Sequence, residues 1–131
     1  MDMKFAGLEY QGLNNLGDQI QSIAAERFFP KIDIRFNRDS LSAANSSSKH
    51  LLIMNGWFSH DPENCLPTNE SILPVFWGFH ISDWNNSWQY FLSDKCLAYF
   101  KRFEPIGCRD MFTADKLAEA GIKTFYSRCL T

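Results

Sequence analysis

The sequence lacks any apolar run approaching the roughly 18–20 residues of a membrane-spanning helix, so no membrane insertion is expected. It also lacks a basic cluster. Its Lys and Arg are scattered and the formal net charge is −2, which offers nucleic acid no electrostatic footprint. No long apolar core follows the first positive charge, so no secretory signal is read and a cytoplasmic setting is expected. The four cysteines, Cys65, Cys96, Cys108 and Cys129, form no Cys-x-x-Cys pair. That usage argues for reduced, buried thiols over disulfides or zinc. Asn-x-Ser triplets at Asn45, Asn69 and Asn85 carry no weight without a secretory signal. Neither the glycine spacing of a dinucleotide fold nor that of a Walker-type phosphate loop is present. No Gly-x-Ser-x-Gly, Cys–His or paired-carboxylate arrangement stands out for hydrolysis. His60-Asp61 has no third ligand at metal spacing, so no metal is expected.

What is present fits one domain over residues 1–131, with 45% hydrophobic residues for a packed core. Aromatic residues reach 15%, with 12 Phe and 4 Trp, enough for rings to line a cleft as well as the core. The chain is organised around Leu8 to Ile20. Lys4 to Tyr10 reads as a short buried strand, Gly12, Asn14, Asn15 and Gly17 as a tight polar turn, and Asp18 as a residue suited to a helix start. From Gln19 onward, Ile20, Ile23, Ala24 and Phe28 recur at helical spacing. Such a turn exposes backbone N–H groups. Asp18 would repel a phosphate there and suits a hydroxyl, a cation or plain capping.

Further along, Ile32–Phe36 alternates as a strand and Asn37–Lys49 reads as a polar, mobile loop with one helical turn at Leu41–Ala44. His50–Gly56 is an apolar run that suits a central parallel strand. The long segment Trp57–Leu73 leaves from its carboxyl end, where open α/β sheets bind ligands. Pro74–Ile81 is the next strand and contains His80. Trp88–Phe103 is helical, with a break at Ser93-Asp94. Ile106–Cys108 is a strand, Met111–Ala120 a helix capped by Asp110 or Thr113 and closed by Gly121, and Ile122–Tyr126 a last strand. This alternation predicts an α/β, Rossmann-like fold: a mostly parallel sheet with right-handed crossovers and helices on both faces.

Two stretches together carry a family resemblance. Asn15-Leu16-Gly17-Asp18-Gln19-Ile20-Gln21 resembles the Asn-x-Gly-Asp turn that opens the polysaccharide pyruvyl transferase family. Pro105-Ile106-Gly107-Cys108-Arg109-Asp110, then Thr113, Leu117, Gly121-Ile122 and Ser127-x-Cys129-Leu130-Thr131, resembles that family's later Arg-Asp segment. Arg128 departs from it where a small residue is common, and Asn55-Gly56-Trp57 replaces a glycine-rich turn. The resemblance implies one half of a glycosyltransferase-B-like architecture, the N-terminal, acceptor-side half. It implies transfer of a pyruvyl group from phosphoenolpyruvate, as donor substrate and with no cofactor, to a sugar of a polysaccharide. Activity is then expected when a second domain or chain completes the cleft, with a homodimer as another way to cover apolar surface. The alternative is a non-catalytic remnant that binds a glycan or a protein.

For that chemistry His60 and His80, both near strand exits, are the candidate acid or base. The plainer reading of each is a surface or satisfied histidine. Asn14, Asn15 and Asp18 are candidates to bond acceptor hydroxyls, or else serve turn geometry. Arg109 and Asp110 are candidates to hold an anion or a sugar hydroxyl, or else pair to order their turn. Trp57, Trp84 and Trp88 are candidates to stack on sugar faces, or else belong to the core.

Overall fold

The computed structural model describes residues 3–10, 16–59, 61–83 and 86–131. Among these lie strands β1 (Lys4–Glu9), β2 (Ile34–Asn37), β3 (His50–Trp57), β4 (Ile72–His80), β5 (Ile106–Cys108) and β6 (Thr124–Tyr126). Between them come helices α1 (Leu16–Glu26), α2 (Ser87–Phe91), α3 (Asp94–Phe103) and α4 (Met111–Glu119), and a 3₁₀ segment at Arg38–Ala43. The strands form one sheet in the order β2-β1-β3-β4-β5-β6, and every pairing is parallel. The Rossmann-like α/β reading therefore holds.

Crossover hand decides what covers each face. Of the five strand-to-strand steps, only β1 to β2 moves toward the β2 edge. With a uniform right-handed crossover, that step alone places its helix on one face and all others place theirs on the opposite face. The side chains agree. Ala6, Leu8, Leu52, Met54, Phe76 and Ile106 share one core with Phe91, Phe100 and Leu117 of α2, α3 and α4. The alternate strand residues point the other way, where Phe5 meets Phe29 just past α1 and Gly7 lies under Glu26.

Local chemistry sets the boundaries. Ser93 accepts the Cys96 amide at 3.4 Å and starts α3 afresh, which explains the break after α2. Asp110 accepts the Thr113 amide at 2.8 Å and caps α4. Gly121, at φ +93°, closes that helix in the left-handed region. β4 holds one more residue than β3 between two matched pairs, since Met54 lies opposite Phe76 but Gly56 opposite Phe79. Such a bulge resets the alternation. Phe76 and Phe79 thus both enter the core, with ring centroids 5.1 Å apart, and β4 ends with His80 beside Trp57.

One expectation needs correction and another is met. Asn37–Lys49 is no loose loop, because Arg38–Ala43 winds into 3₁₀ turns around buried Arg38 and Leu41. Helix α1 carries Asp18 in its first turn, as expected of a residue suited to a helix start. Its apolar row also faces outward. Asp18, Ser22, Ala24 and Ala25 are buried, while Leu16, Ile20, Ile23 and nearby Phe28 are exposed.

Gly107 marks a point where two strand backbones leave no room for a side chain. A Cβ there would lie 2.7 Å from the Phe125 ring, 2.7 Å from the Phe76 carbonyl oxygen and 3.1 Å from the Trp77 Cα. The last two are backbone atoms of a central strand and cannot yield. Gly107→Ala should therefore cost about 2–3 kcal/mol, read as a lower urea midpoint. An unchanged midpoint would show that β4 and β5 can separate at no cost.

Candidate active site

The carboxyl ends of the strands carry two polar clusters. The first is built on Arg38, which sequence reasoning passed over. Its side chain is 1% exposed. Nη1 donates to Asp18 Oδ2 at 2.8 Å and Nε to Asp39 Oδ1 at 3.1 Å. The guanidinium lies 4.8 Å from the centroid of the Tyr10 ring and 5.9 Å from that of Trp57. Nη2 is buried and meets no acceptor among the described residues. Burial works against the Arg38 charge, but Asp39 and Asp18 outweigh it and raise the pKa above its ordinary value. One cation between two carboxylates leaves the cluster net negative. It suits a hydroxyl-rich ligand better than a phosphate.

The second cluster joins β4 to the start of α4. His80 Nδ1 bonds Asp110 Oδ2. Asp110 Oδ1 accepts the Thr113 amide at 2.8 Å and the Thr113 hydroxyl at 3.0 Å. Thr113 in turn accepts the Ile81 amide at 2.9 Å. The carboxylate is thus fixed from one side and orients the imidazole on the other. Burial pushes the His80 pKa below its ordinary value, more than Asp110 raises it, and Arg109 adds to the lowering. Burial alone would raise the Asp110 carboxyl, but the Thr113 amide and His80 bring it below the usual range. A neutral imidazole donating Nδ1–H to a carboxylate presents a lone pair at Nε2. That is the arrangement of a general base.

The sequence candidates divide accordingly. Asp18 falls in the first cluster, and His80 and Asp110 form the second, with Arg109 beside it. Arg109 is held by its amide, which donates to the Phe79 carbonyl at 2.9 Å. Its side chain pairs with no carboxylate among the described residues, and Asp110 turns to His80 instead. His60, Asn14, Asn15 and Trp84 lie outside the described residues. Trp57 faces Arg38, and Trp88 faces Lys116 at 4.8 Å. Among the described residues no group of three His, Cys, Asp or Glu can hold a metal. The four cysteines are free. No described helix is long and apolar enough to cross a membrane. A signal for Arg38 was available: Arg38-Asp39 and Arg109-Asp110 are both Arg-Asp pairs directly after a strand.

Residues 15–131 match the profile of the family described as polysaccharide pyruvyl transferase. No curated protein and no solved structure matches the chain.

Two measurements probe the clusters. Asp18→Ala leaves Arg38 buried with Asp39 alone, so it should cost about 3 kcal/mol, the low end for a broken buried pair. A loss under about 1 kcal/mol, the size of an exposed pair, would remove this pair as an organiser. For His80, the ring signal, assigned with His80→Gln, should titrate below the ordinary midpoint of about 6.5. Asp110→Asn keeps the helix cap but removes the charge that raises the midpoint, so the midpoint should fall further. A rise in that variant would overturn the assignment.

Proposed function

The chain belongs to the polysaccharide pyruvyl transferase family, and we propose that it transfers a pyruvyl group from phosphoenolpyruvate to a pair of neighbouring sugar hydroxyls. The observation that carries the reading is the His80–Asp110 pair at the carboxyl edge of the parallel sheet, in a chain of this family.

The chemistry needs few parts. One acceptor hydroxyl adds to C2 of the enol phosphate while C3 takes up a proton and becomes a methyl group. The second hydroxyl then displaces phosphate from C2, which leaves a ketal and inorganic phosphate. In this reading His80 Nε2 accepts the proton of an attacking hydroxyl, and Asp110 stabilises the imidazolium that forms. Asp18, Asn14 and Asn15 bond acceptor hydroxyls. His60 is the second acid–base candidate, for the proton delivered to C3. Arg109, whose charge reaches His80, holds a donor carboxylate or phosphate oxygen. One guanidinium is a thin clamp for a donor that carries both groups, so the reading assigns further cations to a second domain or chain.

The test follows phosphate release from phosphoenolpyruvate with a panel of polysaccharides, using the chain alone and together with candidate completing domains. Turnover should require neutral His80 and fall as pH drops through its lowered midpoint. His80→Gln should reduce kcat by about 10²–10⁴-fold, the range for a lost general base. Full turnover in that variant would remove His80 from the chemistry. Glycan binding with no phosphate released under any condition would instead make the chain a non-catalytic binding module.

A further inference from the structure

We propose that the chain forms a two-fold homodimer in which α1 of each protomer lies along the half of its partner's sheet that no helix covers. The first ground is topological. Among the described residues one crossover supplies all the helical cover on the α1 side, and α1 packs on β1 and β3. Over β4 that face shows Val75 and Trp77, both about two-fifths exposed. With Phe28, Ile53 and Leu130 they wall an apolar groove of about 250 Å³.

The second ground is α1 itself. Leu16, Ile20 and Ile23 follow a 4-then-3 spacing, which keeps them on one helical stripe. That stripe is opposite Asp18, Ser22 and Ala25, which face the sheet. Leu16 and Ile23 are about two-thirds exposed. The molecule therefore carries an apolar ridge directly beside an apolar trough. A ridge next to its own complementary trough is what a closed two-fold contact needs, because each copy supplies both halves.

Area supports a second copy as the occupant. From their fractional exposures, Leu16, Ile20, Ile23, Phe28, Val75 and Trp77 together offer roughly 600 Å² of apolar surface, taking about 150–250 Å² for a whole aromatic side chain and somewhat less for an aliphatic one. A homodimer interface is about 65% apolar and about 800 Å² per partner, so this is the apolar share of one such interface. A net charge of −2 opposes self-association only weakly.

Sedimentation velocity of the full chain should show a dimer from about 10 µM upward, within the affinity range of standard-size interfaces. Ile23→Glu and Val75→Lys each place a charge on one half of the contact, at positions that lie outside the core. Each variant alone should be monomeric, with a circular dichroism melt like the parent's. An equimolar mixture of the two should recover the dimer, since one ridge-and-trough contact then pairs Glu with Lys and the other is unaltered. A parent chain that stays monomeric at about 100 µM overturns the proposal, as does either variant that still dimerises. If a variant fails to fold, the parent's dilution series alone decides. A partner other than a second copy would appear as a monomeric parent.

Discussion

A buried positive charge sets the geometry of this molecule. Arg38 is almost wholly removed from water, and a bare guanidinium in that position would cost several kcal/mol. Its compensation comes from Asp39, next to it in the chain, and from Asp18, in the first turn of α1. The start of α1 is thereby fixed to the end of β2. The same helix is held further along where the Asn55 amide donates to the Gln21 carbonyl at 3.0 Å. These polar ties hold the Asp18 and Gln21 side of α1 against the sheet.

Magnitudes show that the ion pair does not act alone. Burying a large aliphatic side chain is worth about 1.5–3 kcal/mol, so turning Leu16, Ile20 and Ile23 inward could return more than the roughly 3–5 kcal/mol of a buried pair. What blocks that turn is the seat. Beneath α1 the sheet offers Gly7, which adds no side chain of its own and leaves its space to the ends of the Glu26 and Arg35 side chains. Only the small side, with Ala24, Ala25 and Ser22, approaches so closely. Branched residues would lift the helix and break its polar ties as well. The outward apolar stripe is thus a consequence of a tight seat and a polar pin together.

That combination explains what the sequence made legible. The succession of strands and helices along the chain, the break at Ser93-Asp94, the Asp110 cap and the Gly121 stop rest on local chemistry, and local chemistry can be read residue by residue. The direction in which α1 faces cannot. Periodicity gives an apolar stripe, but which way it points depends on the seat below, which the spacing does not show. Arg38 was missed for a related reason. A charged residue opening a serine-rich segment reads as solvated, and only the fold brings Asp18, twenty positions earlier, against it. His80 and Asp110 were both singled out, yet their pairing spans thirty positions and depends on the β4 bulge. Asn14, Asn15 and His60 fall where the structure gives no description.

The two surfaces of interest obey different constraints. Both polar clusters sit on the carboxyl edge of the sheet, where strands end and backbone groups open toward a ligand. The apolar ridge and trough lie on a broad face, at right angles to that edge. A partner seated on the face would leave His80 and Arg109 accessible, and a ligand at the edge would leave Trp77 and Ile23 uncovered. Arg38 is the structural link between them. It anchors α1, whose outer side forms the ridge, and it lies among Tyr10, Trp57 and Asp18 at the edge. A change at Arg38 should therefore disturb both surfaces, whereas a change at His80 or at Ile23 should disturb one.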